Sequence, residues 1–413
     1  MSSNLIIPNE FNFNLEPTDI SKSGNFVSFA PIAGTSFNAG GTFSIKVASN
    51  NSFIDFENSY LKYNLSITDT SASTSSYLGG ASILYSVTER CSGLQISSEA
   101  NYNNRLGVSY SKLSSSTQNK LAVLEGYKNT GAFSYTSLNN SANGRTVYHK
   151  LQTPVANSGK FFPLCFVNDY TIDVILANLA DVQILAAASG YTVSNVSFVA
   201  HLIQPTDIYL SKVQAAMNAG RSMKIPLNII RSSRTTLSTA TSQQINLSIP
   251  VAESVTGILI TQRGTSKVNS ATQDSFNNYT NNALTSYHVE VGSNRFPLNF
   301  EIGCQNNVSY SAVQPENVMF ASMFNSAYGT FNWTSDVISG STATNTEEAI
   351  VCPLACYSGF NKGLASSDGR VSVVLSYGTA PAGTEVVDTY VALDALFTID
   401  ASGPQIRYVG LSQ

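Results

Sequence analysis

Phe162-Pro163-Leu164-Cys165-Phe166 is followed shortly by the alternating stretch Tyr170-Thr171-Ile172-Asp173-Val174-Ile175-Leu176, and the same succession returns later in the chain. Cys352-Pro353-Leu354-Ala355-Cys356 precedes Arg370-Val371-Ser372-Val373-Val374-Leu375-Ser376-Tyr377. Apolar side chains at every second position mark strands with one buried face. A long apolar strand follows each copy, Val196 to Ile203 and Tyr390 to Ile399. The two prolines are 353 − 163 = 190 residues apart in a chain of 413, and Phe198 and Phe397 are 397 − 198 = 199 apart. Solenoid repeats run to roughly 20–50 residues, so this spacing implies two copies of one β domain in tandem.

Composition agrees with a β-rich chain. Only 12% of residues are charged and the net charge is −4, against a usual charged share of roughly 25%. Ser, Thr, Asn and Gln take the polar role, which suits strands and turns better than surface helices. With 43% hydrophobic residues spread along the chain, disorder is excluded. A pI near 5.4 is the wrong sign for a phosphate-binding surface. The densest basic patch, Arg221, Lys224, Arg231 and Arg234, is interleaved with strand residues and reads as an interface or a solvated edge.

Outward from the repeat, the alternation of Leu61 to Thr68 predicts a strand, as do Ile83 to Val87 and Leu94 to Ile96. Ser111 to Glu125 reads as a helix with Leu113, Leu121 and Leu124 on one face, and Ser137 to Lys160 as polar loop. Pro205-Thr206-Asp207 opens a helix that Gly220 ends, with Thr206 as its cap. Strands follow at Met223 to Ile230, Ile245 to Ile249 and Ile258 to Ile260. Gly264 to Asn282 and Thr334 to Glu348 read as loops, and Pro315 to Tyr328 as a helix. Many short strands with turns between them define an all-β class. The expected division is an N-terminal arm over 1–40, a β domain over 41–204, a linker helix over 205–220 and a second β domain over 221–413. The arm carries Ile6, Ile7, Phe11, Phe13, Phe26 and Phe29, which need something to pack on.

The sequence carries no recognisable catalytic, cofactor-binding or metal-binding constellation. No Gly-x-Ser-x-Gly elbow occurs, and Gly34 to Gly41 lacks the Lys-Ser/Thr that would close a phosphate-binding loop. The three histidines, His149, His201 and His288, are scattered; His201 stands in an apolar strand, where a hydrogen-bonded packing role is expected. Cys91, Cys165, Cys304, Cys352 and Cys356 show no framework spacing and read as reduced core thiols. Asp388 with Asp394, and Glu347 with Glu348, are acid pairs on paper, but a glycosidase also needs aromatic platforms beside its acids. Trp333, Tyr279 and Tyr287 read as scattered loop aromatics. Met1 to Pro8 lacks a basic region followed by an apolar core, so no secretory signal is expected.

Together these features resemble the double jelly-roll major capsid proteins, most of all those of polinton-like viruses and virophages. Phe53-Ile54-Asp55-Phe56-Glu57-Asn58-Ser59-Tyr60-Leu61 resembles the start of the first barrel, Phe162-Pro163-Leu164-Cys165 a later strand opening, and Pro353-Leu354 with Val391 to Phe397 the same pattern in the second half. The resemblance spans residue 41 to the end. It implies two eight-stranded jelly rolls with a few short helices in the connections, and a homotrimer whose six barrels make a pseudo-hexagonal capsomer. It further implies neighbouring capsomers, penton proteins and minor capsid proteins as partners, a place in the virion capsid of an icosahedral double-stranded DNA virus, and no direct sequence-specific nucleic-acid binding. The arm would touch an inner capsid layer or an internal membrane. The competing class is a viral fibre head or lectin-like β-sandwich that binds a receptor or carbohydrate.

Overall fold

The computed structural model describes residues 21–68, 79–111, 115–126, 144–182, 190–249, 252–264, 284–299, 301–303, 350–354, 364–366 and 370–408. The first half holds β1 (Ser21–Phe29), β2 (Ser36–Asn38), β3 (Thr42–Val47), β4 (Phe53–Thr68), β5 (Leu84–Cys91), β6 (Leu94–Ala100), β7 (Arg145–His149), β8 (Tyr170–Leu176) and β9 (Gly190–Pro205). Helices α1 (Tyr102–Ser111), α2 (Ser115–Leu124) and α3 (Leu179–Val182) lie in its connections. Helix α4 (Asp207–Asn218) leads to the second half. There stand β10 (Met223–Thr236), β11 (Ser242–Ser248), β12 (Ala252–Arg263), β13 (Leu284–Val291), β14 (Asn294–Phe296), β15 (Ile302–Gly303), β16 (Ile350–Pro353), β17 (Leu364–Ser366), β18 (Arg370–Tyr377), β19 (Val386–Asp400) and β20 (Gly403–Tyr408).

All pairings among these strands are antiparallel. The first half forms sheets β1-β9-β4-β7 and β3-β8-β5-β6, and the second forms β10-β19-β12-β16 and β11-β18-β13-β14. Leaving aside the short additions β2, β15, β17 and β20, each half has eight strands in the same order, 1-8-3-6 facing 2-7-4-5. That order is the two-Greek-key jelly roll, present twice.

The alternation seen in the sequence positions the core. In β4, Leu61, Tyr63, Leu65 and Ile67 are buried while Tyr60, Lys62, Asn64 and Ser66 are half-buried on the other face. In β8, Tyr170, Ile172, Val174 and Leu176 point inward and Ile175 outward. The repeated Pro-Leu motif occupies one place in both barrels, against the third strand. Phe162 exchanges two 2.8 Å backbone hydrogen bonds with Ile54 at the start of β4. Cys352 and Pro353 pair with Ile258 and Gly257 of β12, and the Leu354 amide donates to the Thr256 carbonyl at 3.0 Å. Leu164 and Leu354 are both buried below. The hairpin between β5 and β6 turns at Ser92 and Gly93, both at positive φ, the geometry whose twist matches the flanking strands.

Several expectations change. Residues 21–38, counted with the arm, contain β1 and β2, which pair with β9; Ser21-Lys22-Ser23-Gly24-Asn25 hides the strand because an edge position buries little. The expected helix 111–125 is α2 alone, and Leu124 on it is exposed. A separate helix, α1, precedes it. The polar stretch 137–160 contains β7, an edge strand whose Val147 and His149 point inward. Tyr287 is a fully buried strand residue, in step with Val289 and Val291 of β13. The helix after Pro205 is present as α4, with the Thr206 hydroxyl accepting from the Tyr209 amide at 3.4 Å. The expected loops 264–282 and 334–348, the helix 315–328, Tyr279, Trp333, Cys304, Cys356, Glu347 and Glu348 lie at or beyond the edges of the described residues.

Candidate functional site: the seam between the barrels

One core continues from the first barrel into the second half. Ile225, Leu227, Ala395, Phe397 and Ile399 cluster with the first barrel's apolar residues. Phe397 of β19 stacks on Phe162, ring centroids 5.8 Å apart. The sequence repeat therefore supplies both a position inside its own barrel and a contact with the other.

Polar groups close the rest of the seam. The Asn104 side-chain amide of α1 lies 3.1 Å from Thr261 Oγ1, 3.2 Å from Asp388 Oδ2 and 2.9 Å from the Tyr390 hydroxyl. The Tyr390 hydroxyl donates to the Asn101 carbonyl at 3.0 Å, and the Ala100 amide at the end of β6 donates to Ser232 Oγ of β10 at 3.0 Å. Asp388 is fully buried and also accepts from Arg234 Nε at 2.6 Å and from Arg263. Burial works against the Arg234 charge, yet the carboxylate of Asp388 overrides it and raises the guanidinium pKa. A buried carboxylate survives only with such partners.

The first barrel holds two more buried polar clusters. Glu89, inward on β5, accepts from Ser97 Oγ at 2.8 Å, from Thr153 and from Tyr170. Burial pushes its carboxyl above the ordinary range against these hydrogen bonds. His149 Nδ1 lies 2.9 Å from Glu125 Oε1, and its Nε2 lies 3.0 Å from the Tyr102 hydroxyl. Since that hydroxyl also accepts from the Gln152 amide at 2.7 Å, a neutral ring protonated on Nδ1 satisfies every partner. The arrangement has the connectivity of a catalytic triad, but His149, Glu125 and Tyr102 are buried, and the cluster ties α1 and α2 to β7.

The sequence-predicted site residues separate accordingly. His201 takes the expected hydrogen-bonded role, with Nδ1 at 3.0 Å from Asp55 Oδ2 and its amide donating to Ser59 Oγ. Despite partial burial, hydrogen bonds from Asn58, His201 and the Glu57 amide hold the Asp55 carboxyl below its usual range. Asp388 and Asp394 are six residues apart on one strand, about 20 Å at ~3.4 Å per residue, beyond the ~5–9.5 Å of glycosidase acids. Asp394 instead accepts from Ser254 Oγ at 2.6 Å. Cys91 is a buried free thiol pushed up to about 12 by burial, and Cys165 is likewise free and raised to about 12. Arg234 of the basic patch is committed to Asp388 in the seam. Among the described residues no group of His, Cys, Asp and Glu could hold a metal ion, and no helix is long and apolar enough to cross a membrane.

Sequence reading missed Asn104, Glu89 and Glu125. Glu89 had a signal, because it stands between Val87 and Cys91 on the inward phase of β5. Asn104 had none beyond the asparagine-rich Asn101-Tyr102-Asn103-Asn104.

No family model and no curated protein matches the chain. Solved structures do. The PBCV-1 capsid protein VP54, fitted into a reconstruction of the virophage Sputnik, matches with a TM-score of 0.62 at 11% identity, over 94% of this chain and 97% of that one. The structure of the Sputnik virophage matches with a TM-score of 0.57 at 11% identity, over 100% and 94%. The Faustovirus major capsid protein gives 0.57 at 9% identity, over 94% and 90%. The fold is the double jelly roll of viral major capsid proteins. The likeness extends over nearly all of this chain and of those structures.

Proposed function

We propose that the chain is a major capsid protein that builds pseudo-hexagonal homotrimeric capsomers of an icosahedral double-stranded DNA virus. The observation that carries this reading is the match of the whole double jelly roll to viral major capsid proteins, with little of either chain left over. Two barrels per chain turn three-fold symmetry into a six-sided tile, and such tiles pack edge to edge. The chain divides at α4, with one barrel on each side. The protein acts in the virion shell, against neighbouring capsomers and the penton and minor proteins that complete it, and as a scaffold with no chemistry of its own. Residues 1–20 then serve as the arm toward the capsid interior.

Native mass measurement of the purified chain tests the reading. The expected mass is three times 44.1 kDa, with hexagonal particles in electron micrographs. A monomer at micromolar concentration would overturn it, since obligate interfaces bury on the order of 2,000–5,000 Å² and do not open at such dilution.

A further inference from the structure

Of the three histidines, His149 alone is fully buried. Glu125, at the end of α2, faces its Nδ1 at 2.9 Å, and Tyr102 of α1 faces its Nε2 at 3.0 Å. Tyr110, also on α1, donates to both carboxylate oxygens of Glu125, at 3.1 and 3.0 Å. Tyr63 of β4 stands near the same carboxylate and donates to the Gly80 carbonyl at 2.9 Å. The Arg105 guanidinium lies 5.3 Å from the centre of the Tyr102 ring and is paired with Glu99 of β6. Burial raises the Tyr63, Tyr102 and Tyr110 hydroxyls above the ordinary tyrosine range, so each keeps its proton. With the ring neutral and protonated on Nδ1, the acceptors that face it are all filled. A further proton on Nε2 would leave the Tyr102 hydroxyl facing two donors, that N–H and the Gln152 amide, with its own hydrogen turned from its acceptor. A further proton on Glu125 would displace the Tyr110 hydrogen from the carboxylate. Either way a buried hydroxyl loses its bond, and a buried polar group left unpaired is costly.

We propose that this cluster is an acid-sensitive latch, which holds α1 and α2 to β7 and, through α1, keeps the seam between the barrels closed. Opened, His149 is an ordinary histidine and takes up a proton near pH ~6.5. Closed, the cluster has no place for that proton. The stability that the latch contributes is therefore complete above about pH 6.5 and is lost as pH falls below that value. Release of α1 reaches the seam directly. The Asn101 carbonyl that precedes the helix accepts from Tyr390, and the Asn104 amide within its first turn bonds to Thr261, Asp388 and Tyr390. Mild acid thus loosens the joint between two barrels whose own sheets stay paired.

Hydrogen exchange of the full-length protein tests the latch, read by mass spectrometry on peptides from α1 and α2 and corrected for the intrinsic pH dependence of exchange. Between pH ~6.5 and ~5 the opening of these helices is expected to rise by up to about tenfold per pH unit, the linkage limit for one proton. Strand β18, remote from the cluster, is expected to keep its protection. His149→Gln can accept from Tyr102 and donate to Glu125 without titrating, and is expected to hold the same protection in acid as at neutral pH. Glu89 titrates in the opposite sense and acts on Thr153 and Val155, so the difference between variant and wild type is the readout. Tyr110→Phe opens an oxygen of Glu125 to the added proton and is expected to flatten the rise. Three results overturn the latch: wild-type helices equally protected in acid and at neutral pH, a rise that β18 shares, or a His149→Gln variant that opens as steeply as the wild type. If His149→Gln does not fold, Tyr110→Phe decides, and an unchanged rise there overturns it.

Discussion

Glu89 stands between Val87 and Cys91, where the phase of β5 demands an apolar side chain, and it is fully buried. Its carboxyl is raised from an ordinary value of 4.5, so the folded state binds its proton more tightly than the unfolded state. The stability linked to that proton is complete below the unfolded value and is lost as pH rises through the folded one. Glu89→Gln keeps the group neutral at every pH. Its urea midpoint is expected to fall less between pH 5 and 8 than that of the wild type, and parallel pH profiles would refute the assignment. Asp388 is a different case, because two arginines pair with its carboxylate in the seam. Asp388→Ala removes the buried carboxylate to which Arg234 and Arg263 donate and is expected to cost about 3–5 kcal/mol, the usual loss on breaking a buried pair, read as a lowered urea midpoint at pH 7. Glu89 was legible in the sequence as a charge on the apolar phase. Asp388 was visible as an acid in an apolar strand, but its partners come from β10 and β12, so only the fold explains it.

At the scale of elements, β1 is the instructive miss. Its sequence lacks alternation because it buries little, yet its pairing with β9 keeps that strand from becoming an open edge. Deleting residues 2–20 is expected to leave the proposed trimer soluble and its melting temperature unchanged while particle yield falls. Deleting residues 2–29 removes β1, exposes the β9 ladder and is expected to give aggregation, as unpaired edges do. Equal behaviour of the two deletions in a thermal melt and in sedimentation would show that the arm and β1 act as one unit. Helix α1 was missed because Asn101, Asn103 and Asn104 read as turn formers; Asn103 and Asn104 instead use their side chains on Ser82 and on the second barrel. Helix α4 was legible from Thr206 and Gly220, since caps act locally.

For the whole molecule, the spacing of two Pro-Leu motifs carried the tandem fold, because each motif must reach the third strand of its own barrel. The seam was legible only in contrast. Val386 to Ile399 is nearly continuous in apolar residues, the mark of a strand covered on both faces, whereas Gly190 to Ile203 alternates. On the proposed capsomer reading, that contrast also bears on what would hold copies together. With 12% charged residues and a net charge of −4, and with the outer face of β1-β9-β4-β7 carrying aromatic, hydroxyl and amide groups, association of copies in the proposed trimer would depend on apolar burial and neutral hydrogen bonds. Screening shortens from about 10 Å at 0.1 M salt to about 3 Å at 1 M, which weakens contacts between exposed charges and leaves apolar burial in place. The proposed trimer is therefore expected to keep its mass in 1 M sodium chloride, as read by light scattering. Kosmotropic sulfate, which strengthens apolar burial, is expected to raise its melting temperature. Dissociation in 1 M sodium chloride would mean that ion pairs, and not apolar burial, join the copies.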